Sequence, residues 1–501
     1  MFQNSPPDAE AYRLMRAGRL TEARAFAERA IAGKRVCLPA HGLLATILLQ
    51  LGRGSEAEAV VSAALQYEPA CADAYDALAF VSMNLGRHER ANMLYRRVVE
   101  LDPKNPTFWY NLASSERSFG RLAEAEAACD RAIALDATQY PSYLLRSELR
   151  IQTPEAHHVE QLQRQLAGRG HEDRARMFLG YALAKELDDL QRFDEAFHWF
   201  REAADTRRRH LAYDIAVDER KLRRIAEAFA ARAPLQHVRR AHSDDEGAGD
   251  SGRYIFIVGL PRSGTTLLER ILTGLPGVRS NGETDHFARA LLAASPPASA
   301  SEQAAGEDIF QRAAAADPVA VRANYASLAD TGGSGERIVE KMPMNYLYLG
   351  AIRRALPQAK LLLVRRSPLD SCFAMYRTLF GAAYPFSYDF EDLARYYAAY
   401  ERLIGHWRAA LGQEIHEVVY EDLVKDPLRV GAAVARAADL SWTDVAIEVQ
   451  KNASVSLTAS AAQVRRPIYG SSSGRWRHYR KHLAPLIAAL RRHGVAVPDD
   501  A

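Results

Sequence analysis

A repeat with a constant period occupies the N-terminal part of the chain and restricts the folds that this part can adopt. Gly-Arg pairs recur every 34 residues, beginning at Gly18, Gly52, Gly86 and Gly120. An alanine stands five positions after each glycine, namely Ala23, Ala57, Ala91 and Ala125. A small residue also stands twelve positions after each, namely Ala30, Ala64, Val98 and Ala132. Because small side chains let paired helices approach closely, the pattern predicts stacked helix pairs that bury their apolar faces on one another.

The unit ends carry a further signal, the pairs Glu68-Pro69 and Asp102-Pro103. With the period of 34, this pattern resembles the tetratricopeptide repeat (TPR). The resemblance implies an all-α TPR solenoid over residues 1–150 and a peptide or protein ligand for it. Residues 193–203 repeat the pattern of a second repeat helix, so we expect a degenerate repeat and connecting helices over 151–242.

A chain of 501 residues exceeds a single hydrophobic core, so a second domain is expected. The polar, Gly-rich residues 243–252 are predicted to be the linker that precedes it. Over 253–501, short apolar runs alternate with longer amphipathic segments, which is typical of an α/β domain with a buried parallel sheet. The predicted strands are 253–260, 337–341, 360–365 and 414–420.

Composition excludes several classes of function. A net charge of +3 gives no indication of nucleic-acid binding. The first residues lack the basic and apolar regions of a signal peptide, and no apolar run is long enough for a membrane span. The four cysteines show neither the spacing of a metal site nor that of a disulfide framework. We therefore expect a cytoplasmic protein without a metal.

The segment Gly259-Leu-Pro-Arg-Ser-Gly-Thr-Thr266 lies between an apolar run, 254–258, and a stretch with helical spacing, 267–272. Strand, tight loop and helix in this order direct backbone N–H groups and a helix N-terminus at one spot, which favours a phosphate-like anion. Thr265 stands where the ATP/GTP P-loop requires lysine. The candidate anion-binding residues are Arg262, Ser263, Gly264, Thr265 and Thr266.

Arg-Ser-Gly-Thr-Thr in this position resembles the 5′-phosphosulfate loop of sulfotransferases that use 3′-phosphoadenosine 5′-phosphosulfate (PAPS), and most of all the protein-tyrosine sulfotransferase branch. The resemblance covers residues 253 to about 485. It implies a P-loop-like parallel-sheet sulfotransferase domain after the TPR solenoid. It also implies PAPS as the sulfuryl donor, without a metal.

Two further phrases match the nucleotide-binding parts of that family. In Arg366-Ser-Pro-Leu-Asp370 the resemblance gives Arg366, rather than its neighbour Arg365, the role of binding the 3′-phosphate. A guanidinium suits this role because its planar fork pairs with two phosphate oxygens. The family has a serine eight residues after this arginine, whereas this chain has Ala374; Ser371, one turn earlier, is the candidate substitute.

The late segment Gly474-Arg475-Trp476 resembles the Gly/Ser-x-Trp phrase that wraps the nucleotide in the family. It offers backbone N–H groups and positive charge, which a 3′-phosphate needs. Tyr420, in Tyr-Glu-Asp-Leu, matches a family tyrosine that lies near the nucleotide. On the residues alone, Tyr420 is equally consistent with a buried core ring, and the basic segment with a surface helix.

Two residues match the catalytic pair of the family. Glu283, in Asn-Gly-Glu-Thr-Asp-His, corresponds to the glutamate of protein-tyrosine sulfotransferases that takes the acceptor proton. Lys341, followed by Met-Pro, corresponds to the lysine that stabilises the transition state. His286 is the rival base, because cytosolic small-molecule sulfotransferases use a histidine.

The resemblance therefore implies transfer of a sulfuryl group from PAPS to an acceptor hydroxyl, with protein tyrosine favoured. A carbohydrate, a lipid or a small phenol is the alternative acceptor. Two other classes stay open on the sequence. One is a nucleotide kinase or NTPase on the same strand–loop–helix. The other is an inactive TPR scaffold.

Overall fold

The structure is a computed structural model of the 501-residue chain. It describes residues 6–32, 38–67, 71–230, 249–296, 309–330, 335–452, 454–458 and 460–498. Two compact units divide the chain, Met1–Arg164 and Gln165–Ala501. Within the described ranges, every helix is too short or too polar to serve as a membrane span.

Helices build most of the described part of the first unit, as the period predicts. Its helices α1–α9 are Pro6–Arg16, Leu20–Ala32, Leu38–Gln50, Gly54–Ala64, Ala72–Asn84, His88–Leu101, Pro106–Phe119, Leu122–Leu135 and Tyr140–Leu149. A further helix, α10 (Val159–Arg169), runs across the boundary between the units. The predicted all-α solenoid in the N-terminal part of the chain is therefore confirmed.

The repeat glycines stand in the turn inside each helix pair. Gly18, Gly52, Gly86 and Gly120 have φ angles of 74°, 74°, 73° and 79°. This left-handed conformation suits glycine because glycine lacks a β-carbon. The alanines at positions 23, 57, 91 and 125 are all 0% exposed, where each helix pair closes. Sequence period and packing thus agree in every repeat.

The second unit begins with a helical hairpin, α11 (Asp173–Asp189) and α12 (Phe193–Arg209), followed by α13 (Ile215–Ala230). Ala196 and Ala203 of α12 are fully buried, as expected for the degenerate repeat. Gln191 occupies the turn position that glycine holds in the other repeats, and its φ is 60°.

A five-stranded parallel sheet forms the centre of the second unit. The strands are β1 (Tyr254–Gly259), β2 (Val278–Gly282), β3 (Arg337–Glu340), β4 (Lys360–Arg365) and β5 (Ile415–Val419), in the spatial order β2-β3-β1-β4-β5. All four pairings are parallel. The sequence missed β2, because its residues are polar and half-buried at the sheet edge and give no apolar run.

Helices cover both faces of this sheet. Helices α14–α23 are Thr265–Leu272, His286–Ala294, Ile309–Ala315, Pro318–Ala329, Leu349–Ala355, Pro368–Tyr376, Phe390–Leu411, Tyr420–Lys425, Pro427–Ala437 and Ala484–Arg492. On one face Ile255 and Ile257 share a core with Leu268 of α14. On the other face the Phe256 ring lies 5.8 Å from Phe287 of α15. The α/β architecture with a parallel sheet is thereby confirmed.

Of the predicted linker, residues 243–248 lie outside the described part of the chain. Residues 249–252 belong to a 3₁₀ helix, Gly249–Arg253, which leads directly into β1.

Candidate active site

Each strand of the sheet ends next to a residue that the sequence singles out. Because the strands are all parallel, these ends meet at one edge, where ligands bind in such folds. Glu283 follows β2 and Lys341 follows β3, on one side of the central strand. Arg366 follows β4 and Tyr420 follows β5, on the other side. The loop 260–264 after β1 therefore lies between two pairs of chemically active side chains.

Close backbone packing shapes the loop after β1. A β-carbon on Gly259 would lie 2.5 Å from the carbonyl oxygen of Val364, so only glycine lets the loop leave the strand here. Gly264 has a φ of 106° and caps α14, which begins at Thr265. The first N–H groups of a helix have no partner within the helix, so this end favours an anion.

Arg262 has a left-handed backbone, with a φ of 64°. Its side chain reaches the C-terminal segment: Nη1 donates to the Ser460 hydroxyl, and Nη2 to Gln463 Oε1 over 2.8 Å. Its carbonyl oxygen accepts a hydrogen bond of 2.9 Å from Arg366 Nη1. Strained backbone of this kind persists only where surrounding contacts stabilise it. Here hydrogen bonds hold both the side chain and the carbonyl oxygen of Arg262.

The hydroxyl residues of the loop are buried. Ser263, Thr265 and Thr266 are 1%, 3% and 6% exposed. Ser263 Oγ has no hydrogen-bond partner among the described residues. A buried hydroxyl without a partner is rare, and this one stands at the N-terminal end of a helix, where an anion is favoured. The loop thus offers an oxygen-rich anion a donor that the protein itself leaves unused.

Arg366 is stacked on Tyr420, its guanidinium carbon 4.7 Å from the ring centroid. Its Nη2 donates to the carbonyl oxygen of Ser472 over 2.5 Å, and the Tyr420 hydroxyl lies 2.6 Å from Ser472 Oγ. Ser371 is buried and donates to the Arg366 carbonyl oxygen over 3.3 Å. Arg365 instead pairs with Glu401 at 3.0 Å. The structure therefore gathers Arg366, Ser371 and Tyr420 beside the loop.

The three residues of the late segment have different surroundings. The N–H of Gly474 donates to Asp370 Oδ2 over 2.7 Å, which ties the segment to helix α19. Trp476 is 1% exposed, so its ring is part of the core. Arg475 forms an ion pair with Asp188 of α11 at 2.6 Å. In this structure Arg475 thus binds a carboxylate of the protein.

Lys341 lies between two carboxylates. Its side chain is 0% exposed, and its Nζ donates to Glu283 Oε1 over 2.5 Å. The same Nζ lies 3.6 Å from Oε2 of Glu269, in α14. The Glu283 side chain is 35% exposed. A buried ammonium thus holds an accessible carboxylate and joins it to the helix that follows the loop 260–264.

The residue before Lys341, Glu340, is a fully buried carboxylate. It accepts hydrogen bonds from the Thr284 hydroxyl, from Asn281 Nδ2 over 3.3 Å and from the Tyr325 hydroxyl over 3.3 Å. Burial raises the pKa of Glu340 to about 7, although these hydrogen bonds act to lower it. Because Asn281 and Thr284 stand on either side of Glu283 in the chain, Glu340 fixes the loop that carries Glu283.

His286, the rival base, is half-buried and lies near Glu340. Its Nδ1 lies 3.9 Å from Glu340 Oε2, and burial lowers the pKa of the imidazole. Lys341 contacts Glu283 and Glu269. The geometry thus places Glu283 and His286 in different surroundings, although they are three residues apart.

Sequence reasoning missed several residues that complete the site. Ser460 and Gln463 bind the Arg262 side chain, Ser472 binds Arg366 and Tyr420, and Glu269 binds Lys341. Ser472 stands in the Gly/Ser-rich stretch next to Gly474, which was an available signal. Ser460, Gln463 and Glu269 carry no local signal, since only the folded chain brings them to the loop. Among the described residues, no group of three or more His, Cys, Asp or Glu side chains is arranged to hold a metal ion.

Comparison with known families adds independent findings. A family model described as "Sulfotransferase family" matches residues 254–444. Models described as "Tetratricopeptide repeat" match residues 14–79, 77–140 and 182–214. The last of these ranges covers most of the α11–α12 hairpin, which the sequence predicts to be a degenerate repeat.

Among similar proteins, an uncharacterized protein of Aquifex aeolicus is 28% identical over 319 residues, 62% of this chain and 41% of that one. This chain thus spans less than half of that relative. Protein-tyrosine sulfotransferase 2 of Gallus gallus is 25% identical over 266 residues, 49% of this chain and 71% of that protein. A solved structure, the sulfotransferase domain from the curacin biosynthetic pathway, is 18% identical with a TM-score of 0.34, over 49% of this chain and 95% of that one.

Proposed function

We propose that this chain, in which residues 254–444 match the sulfotransferase family model and other segments match tetratricopeptide repeats, transfers a sulfuryl group from PAPS to an acceptor hydroxyl. The observation that carries the proposal is the 2.5 Å contact between Lys341 Nζ and Glu283 Oε1 at the same sheet edge as the anion-binding loop. Such a transfer requires a base, a cation and a binding site for the donor.

The residues around the loop fit an anionic nucleotide donor. PAPS would supply the activated sulfuryl group and would leave as adenosine 3′,5′-bisphosphate. Ser263 to Thr266 would hold its 5′ end, for which the unpartnered Ser263 hydroxyl is the support. Arg366 and Ser371 would hold the 3′-phosphate, with Tyr420 beside them. Thr265 in place of the P-loop lysine argues against a magnesium-bound triphosphate in the same seat.

Glu283 accepts the proton of the acceptor hydroxyl. Its carboxylate is accessible, so an acceptor can reach it, and Lys341 orients it. Lys341 also provides a fixed positive charge at the place where negative charge develops during transfer. Because the ammonium is buried, this charge is little screened by water or salt.

Protein tyrosine is the favoured acceptor. Its support is the similarity to protein-tyrosine sulfotransferases of Gallus gallus and Caenorhabditis elegans, each 25% identical to this chain in the matched part. TPR arrays commonly bind peptides, so we propose that the repeats bind a peptide or protein. A carbohydrate, a lipid or a small phenol is the alternative acceptor.

The test supplies the purified full chain with labelled PAPS and with two acceptor libraries, tyrosine peptides and small phenols, without added metal. Adenosine 3′,5′-bisphosphate should appear together with labelled peptide. Glu283→Gln should lower the turnover rate by about 100-fold or more, since general-base catalysis contributes about 10²–10⁴-fold. His286→Gln is the matched control and should keep most of the turnover.

Separate results contradict separate parts of the proposal. Full turnover in Glu283→Gln, together with its loss in His286→Gln, would transfer the role of base to His286. Label on phenols but not on peptides would remove protein tyrosine as the acceptor. Calorimetric binding of ATP–Mg without binding of adenosine 3′,5′-bisphosphate would support a nucleotide kinase or NTPase instead.

A further inference from the structure

A buried carboxylate of the TPR-like hairpin binds cations of the catalytic part of the same unit. Asp188, near the end of α11, is 1% exposed. It pairs with Arg475 Nη2 at 2.6 Å and with Arg377 Nη2 at 2.8 Å, and it accepts a hydrogen bond from the Tyr479 hydroxyl. Burial acts to raise the pKa of Asp188, but the two guanidinium groups lower it below its usual value. The two guanidinium groups therefore favour the ionised form of Asp188.

The segment that carries Arg475 also closes the candidate donor site. Three residues before Arg475, the carbonyl oxygen of Ser472 accepts from Arg366 Nη2 over 2.5 Å. The hydroxyl of the same serine lies 2.6 Å from that of Tyr420. Between them, the N–H of Gly474 donates to Asp370 over 2.7 Å. Ser472 and Gly474 thus bind residues 472–476 to the candidate donor site. Arg475 binds the same segment to the hairpin.

Aromatic packing holds the hairpin against the same region. Phe193 of α12 stacks on His478 with ring centroids 4.5 Å apart, and Phe197 stacks on His482 at the same distance. The Tyr181 hydroxyl of α11 donates to the carbonyl oxygen of Tyr376 over 3.1 Å. A displacement of the hairpin would therefore carry residues 475–482 with it, since packed rings and buried ion pairs do not slide freely.

We infer that Asp188 is a positioning residue for donor binding: through Arg475 it holds residues 472–476 in the place where they complete the PAPS site. On this view the α11–α12 hairpin supports one side of the donor site. The TPR match includes part of this hairpin. This inference rests on the proposed function. It changes the predicted role of Arg475 from direct contact with the nucleotide to positioning.

The arrangement has a consequence for regulation. If the hairpin sets the position of residues 472–476, any ligand that shifts the hairpin changes donor affinity. The donor changes the affinity for that ligand by the same factor, because coupling between two sites is reciprocal. A repeat and a donor site are then coupled within one compact unit, through Asp188, Arg475 and Ser472.

The experiment compares the full-length wild type with Asp188→Asn and with the control Asp189→Asn. Asp189 is the next residue of the same helix, and it pairs with Lys185 at 2.7 Å. Calorimetric titration with adenosine 3′,5′-bisphosphate should show at least tenfold weaker binding for Asp188→Asn and binding within twofold of wild type for Asp189→Asn. In steady state, the KM for PAPS should rise in Asp188→Asn while kcat and the KM for the acceptor change less than threefold.

Hydrogen exchange on the wild type gives a second readout that needs no variant. Adenosine 3′,5′-bisphosphate should slow exchange in residues 472–479 and also in the last turns of α11. Equal affinity of wild type and Asp188→Asn, or protection of 472–479 without any protection of α11, would overturn the inference. Absence of binding to the wild type would instead contradict the proposed function itself.

Discussion

The ring of Tyr420 lies directly against Gly264. A β-carbon on Gly264 would come within 2.3 Å of Cδ2 and 2.8 Å of Cε2 of that ring. Gly264 ends the loop 260–264 after β1, and Tyr420 begins the helix after the edge strand β5. Absence of a side chain at position 264 thus allows the loop and the Tyr420 ring to touch.

Gly264→Ala should therefore disrupt the donor site. The added methyl group meets the Tyr420 ring, and the φ of 106° is strained for any residue with a β-carbon. We expect the affinity for adenosine 3′,5′-bisphosphate to fall at least tenfold, about 1.4 kcal/mol. Gly405→Ala is the matched control, because Gly405 lies inside α20 with open space around it. Calorimetry that shows the same affinity for both variants would contradict the prediction.

Ser263→Ala should separate binding from stability. The hydroxyl is buried and has no partner among the described residues, so its removal should leave the melting temperature unchanged or slightly higher. Donor affinity should fall by about fivefold, as expected for one lost hydrogen bond of about 1 kcal/mol. Ser142→Ala provides the comparison, since the Ser142 hydroxyl is equally buried and likewise unpartnered in the described part of the chain. It should change neither property, and a parallel loss of affinity there would refute the argument.

Lys341→Met should impair turnover more than donor binding. In the proposed mechanism the cation stabilises charge that develops during transfer, so its loss should lower kcat by about 10²–10³-fold. Affinity for adenosine 3′,5′-bisphosphate, which lacks the transferred group, should change far less. Without the ammonium, Glu283 and Glu269 also repel each other, so the melting temperature should fall. Glu283→Gln in the same background should recover part of that stability but none of the turnover, and a larger effect on binding than on kcat would contradict the assignment.

Glu340 should make stability depend on pH. Its pKa is raised from 4.5 to about 7 in the folded chain, so the native state keeps a proton that the unfolded state loses. Stability from this group is full below about pH 4.5 and is lost as the pH rises to about 7, by about 3 kcal/mol in all. Glu340→Gln keeps a neutral side chain, so its stability relative to wild type should increase from pH 5 to pH 8.

The measurement is the unfolding transition of the full chain in urea at both pH values. Tyr325, His286 and Asp285 are titratable groups that lie beside Glu340. The variant His286→Gln therefore serves as a control for the titration of the imidazole. An identical pH dependence in wild type and Glu340→Gln would show that the proton resides elsewhere.

The repeat region was predictable because its signal is local and recurrent. Glycine in the left-handed turn and alanine at the helix contact impose the same geometry in every repeat. Residues 34 positions apart in the sequence therefore occupy equivalent places in the fold. Strand β2 was not predictable in the same way, because its polar residues follow no apolar pattern and its pairing with β3 requires the rest of the sheet. The candidate residues lie together at the edge of the sheet where the parallel strands end. The alternation of apolar and amphipathic segments in the sequence had already indicated such a sheet.

The sequence by itself determined the TPR array, the strand–loop–helix and the identity of the residues at the strand ends, because each depends on spacing or on chemistry within a few positions. Only the tertiary structure decided which partner each of them meets. Lys341 binds Glu283 and Glu269, His286 faces Glu340, and Arg475 binds Asp188. Such pairs join residues that are 54 to 287 positions apart, so no local pattern specifies them and only folding brings their charges together.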